Sequence, residues 1–152
     1  MMETVVIATN LGRLKAYRVV ETPVHGKKLD LVEALNFIDA RTSYAEQMTD
    51  NLSRFPMGGG IDSTNQMSTY EAMREEIEVQ RRLVKEIAGQ IEAILQRERP
   101  TQWYFAAGSE IFQAVLDEIA PEYRDYLTRT VHSDLTKTPP TDVLRHFGRW
   151  SG

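Results

Sequence analysis

Four groups of residues in this chain are of types that can do chemistry. The first is a glycine knot, Pro56-Met57-Gly58-Gly59-Gly60, with Arg54 just before it and Asp62 just after. Backbone N–H groups in a Gly-rich loop can form an anion nest. A phosphate-binding P-loop also needs Gly-Lys-Ser/Thr after the glycines and a buried strand before them, and neither is present. The knot therefore reads as a contact tip, for RNA or a protein partner, or as a linker. The second group is His132 and Asp134, two residues apart, with the spacing of an acid–base or metal-ligating pair on one strand face. The remaining histidines, His25 and His146, fall in a turn and near the C-terminus, where solvated or structural roles are commoner. The third is Ser109, which follows Gly108 but lacks the Gly-x-Ser-x-Gly frame of a nucleophile elbow; capping a helix accounts for it. The fourth is Trp103-Tyr104-Phe105, an aromatic run that could stack bases. No basic residues interleave with it, so packing is the simpler reading. Asp30, Asp62 and Asp134 are scattered, whereas two-metal chemistry needs convergent carboxylates. No catalytic residue, resident metal or cofactor is assigned.

The elements that must position these groups are legible from pattern. Thr4-Val5-Val6-Ile7-Ala8 is apolar without alternation, the signature of a strand buried on both faces. Asn10-Leu11-Gly12 supplies a turn, and Arg13 to Val20 alternates as a hairpin partner. Leu29 to Phe37 fits a third strand with Leu29, Leu31 and Glu33 on one face, or a short helix; the strand keeps successive elements adjacent. Arg41 to Gln66 has little periodicity, with a short helix around Ser43–Leu52 as an option.

A long helix follows, from Ser68 to Arg97, opened by a Ser68/Glu71 capping box and stopped by Pro100. Tyr70, Met73, Ile77, Val84, Ile87, Ile91 and Ile94 form one apolar stripe. The stripe suits packing on a sheet, or a homodimeric coiled coil. From Ser68 to Glu98 the helix carries five basic and seven acidic residues, a mixed face and not an RNA-binding stripe. Beyond it the pattern gives a strand (Gln102–Ala107), a helix capped by Ser109, and helical structure restarting at Pro121 through Tyr126. A strand over Arg129–Leu135 and a final helix opened by Thr138 and Pro139 and closed by Gly148 complete the chain. The expected architecture is one α/β domain over residues 1–152, a mixed sheet flanked by helices with one long central helix.

Composition bounds the function classes. With 152 residues and 41% hydrophobic content the chain can bury a real core. There is no cysteine, which excludes disulfides, thiolate metal sites and cysteine nucleophiles. A net charge of −4 disfavours strong non-specific nucleic-acid binding. No apolar run reaches the roughly 20 residues needed to span a bilayer, and the N-terminus lacks the basic region of a signal peptide, so no membrane partner and a cytoplasmic location are expected.

Two stretches resemble a known family. Val6 to Val19, with Asn10 and Arg13 at the first turn, resembles the opening of the bacterial host-attachment family. Phe105-Ala106-Ala107-Gly108, Pro121 and Asp134-Leu135-Thr136 are similar to its closing pattern. That family is in turn similar to the middle domain of archaeal and eukaryotic class I release factors and of Pelota. The resemblance implies a ribonuclease H-like fold. In release factors a Gly-Gly-Gln tip precedes the long helix; here Gly58-Gly59-Gly60 is followed by Ile61, so the side chain that defines peptide release is missing. The resemblance therefore implies a non-catalytic interaction module, contacting the ribosome or RNA through Arg54, Gly58, Gly59, Gly60 and Asp62. The alternatives are an influence on bacterial attachment to host cells, or a metal-dependent hydrolase or nuclease.

Overall fold

The structure, a computed structural model, describes residues 3–24, 26–37 and 62–148, with side chains in the long helix described from Glu71 onward. Three strands open the chain: β1 (Thr4–Thr9), β2 (Arg13–Thr22) and β3 (Gly26–Asn36). Helix α1 (Asp62–Glu98) follows, then β4 (Gln102–Ala107), α2 (Ser109–Glu118), α3 (Pro121–Arg124) and β5 (Leu127–Val131). A single turn α4 (Pro140–Val143) runs into a 3-10 turn at Leu144–Phe147. The strands make one mixed sheet in the order β3-β2-β1-β4-β5. The first three form an antiparallel meander, and β4 and β5 add in parallel beside β1.

Strand β1 is central and buried along its whole length, which explains its unalternating sequence. Its odd positions Val5 and Ile7 join Trp103 and Phe105 of β4 in a core under α1 and α2. Its even positions Val6 and Ala8 join Tyr104, Leu135, Val143 and Phe147 in a second core on the opposite face. The aromatic run is thus divided between two cores by the two-residue strand period. The Trp103 indole N–H donates to the Tyr123 carbonyl at 2.7 Å, so its one polar atom is satisfied although the residue is fully buried.

Several expectations are corrected. The long helix begins at Asp62, so Ser68 lies inside it and is no cap. The strand reading of Leu29–Asn36 holds, but its pairing with β2 shifts register between Ala16 and Tyr17, where Val32 has no partner. The extra residue turns Val32 and Leu35 toward the α1 core while Leu29 packs in the other, so Leu29, Leu31 and Glu33 do not share a face. Strand β5 ends at Val131, paired with Ala106 near the end of β4, and the chain from His132 to Pro139 is irregular. Gly108, not Ser109, occupies the N-cap of α2, and Ser109 is its first helical residue. The segment after Pro121 stays helical only to Arg124. The Ser43–Leu52 helix expectation lies outside the described residues.

Lengths decide what α1 can cover. Its 37 residues extend about 55 Å at 1.5 Å per residue, while the six-residue strands β1 and β4 span only about 20 Å. Leu83, Val84, Ile87, Ile91, Ile94 and Leu95 are buried against the sheet and α2. N-terminal to Val79 the described helix stands clear of the core, with Met73 58% and Ile77 52% exposed. Since α1 feeds directly into the start of β4, it runs antiparallel to that strand. Its free half therefore projects past the carboxyl ends of β1 and β4.

Candidate functional site

The carboxyl edge of parallel strands is where open α/β sheets bind ligands. Two features meet there: a polar cluster at the end of β1, and the projecting half of α1.

The cluster is built on Asn10. Its Oδ1 accepts from the backbone N–H groups of Gly12 and Arg13, both at 2.7 Å, which fixes the β1–β2 turn. Its Nδ2 donates to Asp134 Oδ2 at 2.9 Å and to Thr136 Oγ1 at 3.0 Å. Asp134 Oδ1 in turn accepts from the Thr136 N–H at 2.9 Å and its hydroxyl at 2.6 Å. Burial pushes the Asp134 carboxyl up, but the hydrogen bonds from Asn10 and Thr136, with the Lys137 charge, outweigh it and hold the group below its ordinary value. Leu135, fully buried in the second core between these two polar residues, anchors the segment.

Four of the five residues singled out by family resemblance therefore come together in hydrogen bonds, and Leu135 packs beside them. Arg13 takes part through its backbone N–H, and its side chain is exposed. The Asn10 amide has both acceptor and both donor positions engaged within the chain. Such an amide is a clasp tying the β1–β2 turn to the C-terminal segment; a group so fully engaged has no capacity left for a substrate.

The His132–Asp134 pairing is not formed. His132 lies past the end of β5, and its ring packs edge-on to Phe112 with centroids 3.9 Å apart. Asp30 is near Lys28 on β3, at 3.8 Å. Among the described residues no group of three His, Asp or Glu side chains is placed to hold a metal ion. Arg54, Gly58, Gly59 and Gly60 lie outside the described residues. Asp62 is the first residue of α1 and not part of a loop.

The projecting half of α1 carries the upper part of the stripe for which the sequence also offers a homodimeric coiled coil, and beside it lies a groove that residue-type reasoning missed. Where α1 runs alongside α2 a groove of about 560 Å³ opens, lined on its apolar side by Ile77, Val84, Ile111 and Ala114. Arg81 and Lys85 stand on its α1 rim; Glu110, Asp117 and Glu118 stand on its α2 rim. Among the described residues no ion pair crosses it: Arg81 pairs along its own helix with Glu78 at 3.5 Å, and Asp117 accepts from Gln113 at 2.8 Å. The signal was present in the sequence as a mismatch of lengths: the helix expected from Ser68 to Arg97 would extend about 45 Å, against about 20 Å for a six-residue strand such as Gln102–Ala107.

These features define a single α/β domain with a mixed five-stranded sheet, a helix that outgrows the sheet, and a structural clasp at the strand ends. The chain belongs to the family of proteins required for attachment to host cells: residues 5–147, nearly the whole chain, match that family's sequence pattern. Among curated proteins no match is found. No described helix is long and apolar enough to cross a membrane.

Proposed function

We propose that this chain is a non-catalytic interaction protein that promotes bacterial attachment to host cells, and that the projecting half of α1 is its contact surface. The observation that carries this reading is the exposure of Met73 and Ile77 on the same stripe whose lower half is buried core. Large apolar side chains set together above a domain edge suit a protein contact. Family membership supplies the biological direction.

The partner is a protein in preference to the ribosome or RNA. The described upper turns, Glu71 to Arg82, carry acidic Glu71, Glu75, Glu76 and Glu78 against basic Arg74, Arg81 and Arg82, which gives no phosphate-tracking stripe. The ribonuclease H-like, release-factor-like assignment is supported by a mixed sheet with helices on both faces and by the long helix. It bears on ancestry of the fold and carries no activity with it.

The test is complementation. A strain lacking this protein attaches less well to host cells; the wild-type chain restores attachment, and Met73→Glu/Ile77→Glu at equal protein level does not. Normal attachment of the lacking strain overturns the functional reading, and full rescue by the double variant overturns the choice of surface. Surface labelling of intact cells separates a direct contact from an indirect effect exerted from inside the cell.

A further inference from the structure

The α1–α2 groove and the projecting stripe form one continuous surface, joined at Ile77, which is both on the exposed stripe and in the groove lining. We infer that its occupant is a second copy of this chain, docked about a two-fold axis near Ile77. The inference rests on the reading of this surface as a contact and names what fills it.

Three observations favour a copy over an unrelated partner. The first is periodicity. Met73, Ile77, Gln80, Val84, Ile87, Ile91 and Ile94 follow strict alternating steps of four and three, a 3.5-residue repeat. The lower members are satisfied by the chain's own sheet, and the upper ones stand exposed or half-exposed. A seam of this period is complementary to a helix of the same period, and a single polar residue on it, here Gln80, sets register between copies. The second is charge. The rims carry opposite signs, with Arg81 and Lys85 facing Glu110, Asp117 and Glu118 across a groove that no ion pair among the described residues closes. Under two-fold symmetry each contact is made twice with the roles exchanged. A surface with a basic strip beside an acidic strip can then set its basic strip against the partner's acidic strip, and the reverse, in one docking. The third is position. The projecting half of α1 lies beyond the strand ends, so a copy can approach it without displacing either core.

The experiment is sedimentation of the full chain over a range of concentrations, with circular dichroism to confirm folding. The wild type dimerises reversibly. Ile77→Glu, at a half-exposed position, leaves the helical signal unchanged and abolishes the dimer. Arg81→Glu/Lys85→Glu, and separately Asp117→Lys/Glu118→Lys, each raise the dimer Kd about tenfold or more, since like-charged rims then meet. Mixing these two charge variants restores association as a heterodimer, because every rim again meets its opposite. A wild type that stays monomeric at every concentration, a dimer that survives Ile77→Glu, or a mixture that fails to associate overturns the inference.

The outcomes separate it from the functional reading. A monomeric wild type whose Ile77→Glu variant still loses attachment removes the second copy and leaves the contact surface in place. A dimer broken by Ile77→Glu without loss of attachment does the opposite.

Discussion

The two halves of α1 carry the same pattern and meet opposite fates. Below Val79 the stripe is core: Ile87 and Ile91 are fully buried. Above it, Ile77 and Met73 are more than half exposed. Nothing in the residue types separates Ile77 from Ile91. The difference is that β1 and β4 stop after six residues while the helix continues. Amphipathicity states that a face is to be covered; the length of the neighbouring element decides whether the chain itself covers it.

The comparison breaks most sharply under truncation. Ile91→Ala removes buried methyl groups from a closely packed core and is expected to cost about 2–5 kcal/mol in chemical unfolding. Ile77→Ala, measured on the monomer, is expected to stay within about 0.5 kcal/mol of wild type. Equal losses at the two positions would mean that the upper half is packed within the chain, and the contact surface would vanish with that result.

Hydrogen exchange sharpens the same contrast without mutation. Amides from Ile87 to Ile94 are expected to exchange only through global unfolding, and those from Glu71 to Ile77 far faster, by local opening. Protection of the upper amides that grows with protein concentration would report docking of the second copy.

The clasp tests the strand ends from which the upper half rises. Asn10→Ala removes the amide donor from Asp134 Oδ2 and from Oγ1 of the fully buried Thr136, and frees the turn at Gly12 and Arg13. A loss of about 1–3 kcal/mol follows from unsatisfied polar groups, with attachment reduced only as far as folding is. Asp134 also makes stability pH-dependent. Its folded-state pKa is lowered, so its contribution is fully present above the unfolded value of about 3.9 and is lost as pH falls through the lower folded value. Asp134→Asn is expected to flatten that acid limb of the unfolding curve. An unchanged limb would show that the carboxylate is not held by the clasp.

How much of this was legible depended on whether the deciding partner was local. The burial of β1 could be read from Val5-Val6-Ile7-Ala8 alone, because two-sided burial suppresses alternation. The Asn10 and Asp134-Leu135-Thr136 motifs were visible as a resemblance, but not their contact, which joins residues 124 and 126 positions apart. The end of β5 is not legible locally because alternation runs on through His132, whereas its pairing with β4 stops at Ala106. The start of α1 was misplaced because Ser68 and Glu71 make a plausible capping box inside a helix already under way from Asp62. In each case the local pattern was real, and an element distant in sequence or a longer helical run overrode it.

The lower end of α1 offers a small effect of opposite sign. The Leu95 carbonyl in its last turn accepts from the Arg99 N–H at 2.9 Å, with Arg99 at φ 49° and Pro100 barring continuation. Left-handed backbone costs a residue with a Cβ about 1–2 kcal/mol and glycine almost none. Arg99→Gly removes that strain but makes the unfolded chain more flexible, so the net gain is expected to be at most about 1 kcal/mol. Just before it, Glu98 is held by Arg18 and Arg97, with Arg97 also reaching Glu33 of β3 at 3.3 Å. This end of the helix is thus fixed to the sheet by ion pairs as well as by its buried seam. A thermal melt of Arg99→Gly that rises slightly, with the exchange of Glu71 to Ile77 unaltered, would show that stability added at the anchored end does not reach the projecting one. Slower exchange in the upper turns would instead show that α1 responds as one rigid rod, and the division at Val79 would then describe burial without describing dynamics.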